Sequence, residues 1–415
     1  MLHAPALQVA LPLAAAPLCL LLRGPRLAWA LATAVSWSAL GIALLLARQV
    51  MLSGPLSYAL GDWAAPLGIE YRIDMASALM LLIITSIGAL VTPFALRSVE
   101  HELRPDSIGL FYTCYLLCLT GLLGIVVTGD TFNLFVFLEI SSLSSYVLIS
   151  QGCSRRALTA AYQYLVMGTI GATFILIGVG LLYMMTGTLN MADLAQRLPA
   201  LSDSRTIRVA FAFITVGVSL KLALFPLHLW LPNAYAFAPS VVSVFIAATA
   251  TKVGVYVLLR LFFTVFGVQF SFTAMHVGDI LMVLAAAAML IASLVAVFQH
   301  NIKRMLAYSS VAQIGYIVLG ISLASAAGVA AGMIHLLNHA LMKGALFMAM
   351  GSIFLRLGSV DLRDMRGLAR DMPFTVAAFV VAVISCTYVT AGGQTSVIMT
   401  DLLQGCMLLL VGVII

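Results

Sequence analysis

Apolar runs of about twenty residues, the length that crosses a hydrocarbon layer as a helix, follow one another along the whole chain with short polar loops between them. The pattern predicts spans near 6–22, 27–47, 75–96, 108–128, 131–151, 159–185, 207–229, 240–263, 279–298, 305–324, 328–355 and 374–391, with a last run at 396–415. That makes an all-α membrane protein of about 12–13 transmembrane helices. The short alternating strands of an outer-membrane barrel do not fit runs of this length. The first run, near Leu7–Leu22, has no charge ahead of it and no obvious small-residue cleavage site, so it reads as a span and not a removable signal peptide. The last run stops without a polar exit, which reads as an incomplete chain.

Composition sharpens this picture. The 415 residues are 63% hydrophobic and 9% charged, with a mean hydropathy of +1.11; soluble domains are about 25% charged. The formal charge of +6 invites a nucleic-acid partner, but the basic residues sit in short loops and set orientation instead. Alternate loops hold Arg23, Arg26, Arg97, Arg104, Arg155, Arg156, Lys303, Arg304, Arg356, Arg363, Arg366 and Arg370, twelve in all, against six on the other side. The positive-inside tendency makes the richer side cytoplasmic and puts the N-terminus outside, in a cell membrane. The longest loop, around 186–206, is too short for a soluble core, so nothing binds a nucleotide or a redox cofactor. The six cysteines show no metal or disulfide spacing and read as packing. Arg155–Arg156 and Lys303–Arg304 read as loop anchors.

The informative residues are polar ones at depth. Only four lysines occur, and Lys221, Lys252 and Lys343 lie inside apolar helices. A lysine at the bilayer centre costs roughly 2.5–3.5 kcal/mol, so it needs a partner or a task. At about 1.5 Å per residue, Glu139 lies roughly 13 Å beyond Asp130, Lys252 roughly 18 Å beyond Ser240 and Lys221 about 21 Å beyond Ile207. Low dielectric disfavours the charged form of each group, and pairing restores it. A Lys–Glu pair that forms and breaks is therefore a proton switch, while one that never breaks is a static packing pair. Several titratable groups at depth in different helices favour the switch.

Two local patterns extend that reading. Pro226 follows Lys221 by five residues in KLALFPLHLWLP, so the helix is expected to break about one turn past the lysine, freeing the Leu222 carbonyl. Broken backbone at membrane depth lines a hydrated cavity or is buried in protein, and His228 is placed to hold water there; the plainer reading is a kink near a helix end. His335, His339 and Lys343 are spaced i, i+4, i+8 in HLLNHALMK and share one helix face. The H-x-x-x-H spacing also suits a metal, but no Glu or Cys stands nearby to complete a site, so no metal and no cofactor is expected. Histidine relays protons near neutral pH, and a proton path along this helix is the better reading. Small residues, dense in MGTIGATFILIGVG (167–180), are read as close helix packing.

Four stretches carry a family resemblance: TGDTFNLFVFLEISSLSSYVLIS (128–150), KLALFPLHLWLPNAYAFAPSVVSVFIAATATKVGVYVLLR (221–260), QHNIKRMLAYSSVAQIGYIVLG (299–320) and HLLNHALMKGALFMAMG (335–351). The chain resembles the proton-conducting antiporter-like subunits shared by Mrp-type multisubunit cation/proton antiporters and respiratory complex I, and FNLFVFLEISSLSSY resembles the D-type member of the Mrp antiporters most. The likeness runs from about residue 60 to about 372. It implies about fourteen helices with two inverted five-helix repeats, each holding a broken helix. It also implies Glu139 and Lys221 as the switching pair, Lys252 as the central relay and the His335–His339 helix as the onward path, with Lys343 in the same motif.

On that basis residues 1–105 are N-terminal helices, 106–265 a first repeat with its break near Pro226, 266–372 the start of an incomplete second repeat and 373–415 a divergent tail. The tail lacks the expected second buried lysine, and TYVTAGGQTSVIMTDLLQG within it resembles a helix pair of sodium/solute symporters; Asp401 is its one candidate substitute. The function expected is a proton-translocating subunit of a Na⁺ or K⁺/H⁺ antiporter, a transporter component and not an enzyme, working with other subunits in the lipid bilayer. The rivals are the same module in a membrane hydrogenase or complex I-like pump, a sodium/solute symporter with a site near Gly392–Gly393, and an inert scaffold.

Overall fold

The computed structural model describes residues 3–22 and 24–382. Among them ten helices are long and apolar enough to cross a membrane, so the chain is a multi-pass helical membrane protein. In chain order the first are α1 (Ala4–Leu21), α2 (Pro25–Ser53), α3 (Met75–Glu102), α4 (Ile108–Val127), α5 (Thr131–Ser150) and α6 (Arg155–Thr186). A short helix, α7 (Met191–Arg197), lies in the 186–206 loop. Then come α8 (Arg205–Lys221), α9 (Trp230–Phe237), α10 (Ser240–Leu259) and α11 (Val277–Ala287), the last running through a π-helical turn into α12 (Ser293–Val297). The two long helices α13 (Ile302–Ser322) and α14 (Ala326–Leu357) follow, and a helix at Pro373–Ala382 ends the described chain.

Side chains just ahead of the helices explain where several begin. Asp74 accepts from the Ser77 amide, Asp130 from Asn133, Asn301 from Arg304 and Ser325 from Gly328, each within 3.1 Å. Each supplies an acceptor to an amide that the first turn leaves unpaired.

Two sequence expectations are corrected and one element is added. The stretch 207–229 is not one span: α8 stops at Lys221 itself, a turn earlier than the proline argument places the break, and α9 starts at Trp230. The 48–74 loop holds a two-stranded hairpin, β1 (Leu56–Ala59) against β2 (Glu70–Ile73), paired from Leu56↔Ile73 to Ala59↔Glu70. Lys303 is no loop anchor; it sits in the first turn of α13 and is buried. The expected second broken helix, Asp401, the symporter-like stretch and Gly392–Gly393 lie outside the described residues.

The core is centred on α10, in which every residue except Ala250 and Leu259 is buried. It is flanked by α3, α14 and α8. The small residues of α6 do what small residues do between membrane helices. A methyl group on Gly217 of α8 would stand 2.5 Å from the Gly171 carbonyl of α6, so the two backbones touch.

A chain of buried acids and bases

Lys221 is the last residue of α8, and its Nζ donates to Glu139 Oε1 at 3.0 Å and to Ser142 Oγ at 2.8 Å. Glu139 and Ser142 are three residues apart on α5 and therefore share a face. The lysine side chain is 6% exposed and the glutamate 23%, so the carboxylate is the more open partner.

The break beyond Lys221 has a clear local cause. Ala223 takes a φ of +58°, which a non-glycine residue adopts only where its surroundings impose it, and Pro226 has no amide to give. The freed carbonyls find partners in the protein: Leu220 accepts from Trp230 Nε1 at 3.1 Å and Ser219 from the Leu224 amide at 3.0 Å. Trp230 is held by flat stacking on Tyr164, centroids 4.0 Å apart. The break is seated on α10, where a methyl group on Gly254 would meet Leu222 Cβ at 2.8 Å. His228 is buried, stacks on Phe225 and meets Tyr308 of α13 edge-on, and its Nδ1 has no hydrogen-bond partner among the described residues. Its ring thus faces Tyr308 of α13.

Lys252 stands differently. It is 1% exposed at mid-length in α10, and its Nζ donates to the Ala247 carbonyl at 2.5 Å. No carboxylate of the described residues comes within ion-pair distance of it. His335 and His339 stand one turn apart on α14, which packs against α10. The two imidazoles are stacked with centroids 6.4 Å apart. His335 Nε2 is 2.6 Å from Gln313 Oε1, whereas His339 is fully buried and neither of its ring nitrogens has a hydrogen-bond partner among the described residues. Lys343 donates to the Leu306 carbonyl at 2.9 Å and to Ser309 Oγ at 2.5 Å, both on α13.

The six residues singled out from the sequence thus fall into two groups joined by α10: Glu139 with Lys221, and Lys252 with His335, His339 and Lys343. Sequence reasoning missed Ser142, Ser309 and Gln313, polar neighbours whose only signal is their helical spacing from each other and from Glu139. It also missed two nodes at the ends of α10. On the hairpin side, Arg260 Nη1 and Nη2 donate to the two oxygens of Asp74, at 2.5 and 2.9 Å. On the other side, Glu102 Oε2 accepts from the Ser240 amide at 2.9 Å, and Lys303 Nζ donates to Ser240 Oγ at 3.1 Å. Asp74 lies outside the spans; burial works to raise its carboxyl, but the hydrogen bonds and charge of Arg260, with Ser77, outweigh this and hold it at about 2.

A polytopic helical protein with an acid–base chain through its middle is the class that fold and site define. The chain belongs to the NADH:quinone oxidoreductase/Mrp antiporter transmembrane family, whose sequence pattern matches residues 128–400. It is 43% identical over 394 residues to the N-type subunit of the NADH-quinone oxidoreductase of Desulforudis audaxviator, covering 92% of this chain and 76% of that one. It is 32% identical over 344 residues to the D-type subunit of the Na(+)/H(+) antiporter of Alkalihalophilus pseudofirmus, covering 83% and 68%. Among solved structures it resembles a chain of the membrane-bound sulfane sulfur reductase, an archaeal respiratory membrane complex, with a TM-score of 0.86, 32% identity and coverage of 98% and 86%. It also resembles a chain of the Mrp complex from Dietzia sp. DQ12-45-1b, with a TM-score of 0.83, 29% identity and coverage of 100% and 79%.

Proposed function

We propose that this protein is the proton-translocating subunit of a multisubunit Na⁺ or K⁺/H⁺ antiporter, and that Glu139, Lys221, Lys252, His335, His339 and Lys343 carry the protons. The observation that carries the reading is the Lys221–Glu139 pair, 3.0 Å apart at the end of a helix that stops on the lysine. A lysine at a helix terminus next to irregular backbone moves relative to its acid at small structural cost. When the pair closes, the carboxylate stabilises the ammonium; when it opens, the buried ammonium loses its counter-charge and passes a proton to the next acceptor. Lys252 is that acceptor, followed by the imidazoles of α14 and Lys343. The arginine-rich face is cytoplasmic in this reading, with the N-terminus outside in the plasma membrane, and residues 106–265 form the repeat that contains the switch. Relatives that work in multisubunit complexes support a need for partner subunits.

The test is cation-driven proton release in everted vesicles that contain the complete complex. Lys221→Ala removes the exchange while leaving the assembled complex at its normal level; undiminished exchange refutes the switch. A second reading, that the same module is driven by electron transfer elsewhere in a respiratory complex, is favoured by the 43% identical relative and by the sulfane sulfur reductase likeness. Purifying the complex separates them. Copurified redox subunits, with proton uptake driven by an electron donor and indifferent to Na⁺ and K⁺, select the second.

A further inference from the structure

α10 is held at both ends by one neighbouring helix. α3 runs antiparallel to it: Asp74, directly before α3, meets Arg260, directly after α10, and Glu102, the last residue of α3, meets Ser240, the first of α10. At the hairpin end the fork of Arg260 closes on both carboxylate oxygens, with Ser77 Oγ accepting at 2.8 Å and Tyr256 Oη at 2.7 Å. Such two-toothed pairing fixes direction as well as distance. Tyr256 passes the grip on by donating to the Val126 carbonyl of α4 at 2.9 Å.

At the other end the chemistry is complementary. The Ser240 amide at the start of α10 has no partner within its helix, and the Ala238 carbonyl at the end of α9 accepts only weakly from Ser243 Oγ, at 3.4 Å. Glu102 satisfies the donor; Lys303 reaches the acceptor at 3.5 Å and Ser240 Oγ at 3.1 Å. Glu102 is itself held by Ser98 at 2.6 Å, and Lys303 lies over the Phe354 ring. All three polar groups are buried. One acid and one base thus close the joint between the half-helix that follows the break and the helix that carries Lys252.

Resting on the proton-relay reading above, we propose that α3 is a brace that holds α10 at a fixed height and rotation, and that Asp74, Arg260, Glu102 and Lys303 are positioning residues for proton transfer through Lys252. Among the described residues Lys252 has no acid to pull it into place, so where its ammonium stands is set by where its helix stands. Either end alone limits the motion of α10. Loosening one lets the helix shift a little, and loosening both frees it to slide or turn.

The experiment uses the complete complex in everted vesicles, with sodium or potassium as the driving cation, and measures maximal proton flux, half-saturating cation concentration and subunit content. Arg260→Met and Glu102→Ala each lower maximal flux about 3-fold, and together about 30-fold or more, because groups acting through one element do not add independently. A displacement of about 1 Å at a transfer site is worth about 10²-fold. Half-saturation stays unchanged, since cation binding is not what the brace holds. Arg260→Lys and Glu102→Gln, which keep one contact each, restore most of the flux. If the double variant does not accumulate, the graded series decides: flux rising with the contacts kept supports the brace, and equal flux across the series overturns it. Full flux in an accumulated double variant, or a change in half-saturation alone, also overturns it. Lys252→Ala separates the two ideas. If it abolishes flux while the brace variants run at full rate, only the brace fails; if it too runs at full rate, the relay reading fails.

Discussion

Lys221 and Lys252 are both buried lysines in apolar helices, yet the protein treats them in opposite ways. Lys221 ends its helix, has an acid and a serine as partners, and is followed by eight residues, Leu222–Leu229, of non-helical backbone. Lys252 sits mid-helix, has among the described residues a carbonyl of its own helix as its one acceptor, and rides on an element gripped at both ends. Buried ion pairs are poor sources of stability, but removing one partner strands a charge at a cost of about 3–5 kcal/mol. The contrast assigns roles. In the proposed relay, the group that gains and loses a counter-charge is mounted beside irregular backbone, and the group that receives and hands on is mounted within a regular helix.

The largest effect expected is from Glu139→Gln. The amide keeps an acceptor near Lys221 but removes the negative charge, leaving the ammonium with neutral partners. Stranding a buried charge at about 3–5 kcal/mol corresponds to a loss of proton flux of about 10²-fold to several thousand-fold. The check is flux against pH in everted vesicles. A variant that merely fails to accumulate supports a packing role for the pair instead. The brace sharpens this measurement. Asp74 is held at about 2, so what it contributes to stability is complete above its unfolded value of about 3.9 and is lost only as pH falls through about 2. Changes of flux near neutral pH therefore do not come from the hairpin end of the brace.

The next effect in size is Gly254→Ala, which tests the joint between the two regions. A methyl group there stands 2.8 Å from Leu222 Cβ and 3.0 Å from Leu222 Cα, so the break must lift away from α10. Overpacking of this kind costs about 1–3 kcal/mol, and flux is expected to fall about 10-fold with the Lys221–Glu139 pair intact. A variant with normal flux means that the two lysines communicate without this contact, and the division between a moving and a fixed mount loses its hinge.

Much of this was legible in the sequence because the bilayer simplifies the reading. Runs of apolar residues mark the spans, and depth along a helix is arithmetic, so Glu139, Lys221 and Lys252 stood out before any geometry. What escaped lies where hydropathy stops reporting. Helix α3 continues to Glu102, six residues past the apolar run that ended near 96, because a helix does not end where the hydrocarbon does. Lys303 was assigned to a loop for the same reason at the start of α13. The sequence did hold a signal for it: Asn301 caps that helix, and a cation in the first turn opposes the helix dipole, so Lys303 needs an acceptor from elsewhere. The hairpin strands are four residues each, too short for alternation to be told from loop. The break began early because the carbonyls it frees are satisfied by Trp230 and Leu224, which no local rule about proline contains.

The smallest effect expected is also the one most exposed to contradiction. Ser142 Oγ accepts from Lys221 at 2.8 Å, slightly closer than the Glu139 oxygen at 3.0 Å. Distance alone would rank the serine first. Physical chemistry reverses the order, because the serine offers the ammonium only a neutral dipole, whereas loss of the carboxylate strands the charge at about 3–5 kcal/mol. Ser142→Ala removes the hydroxyl and leaves the acid in place, so flux is expected to fall no more than about 5-fold, with the complex at its normal level. Comparing Ser142→Ala with Glu139→Gln in the same vesicles reads the charge separately from the contact. Should the serine variant lose as much as the glutamine variant, Lys221 is governed by hydrogen bonding and not by its counter-charge, and it becomes a relay of the same kind as Lys252.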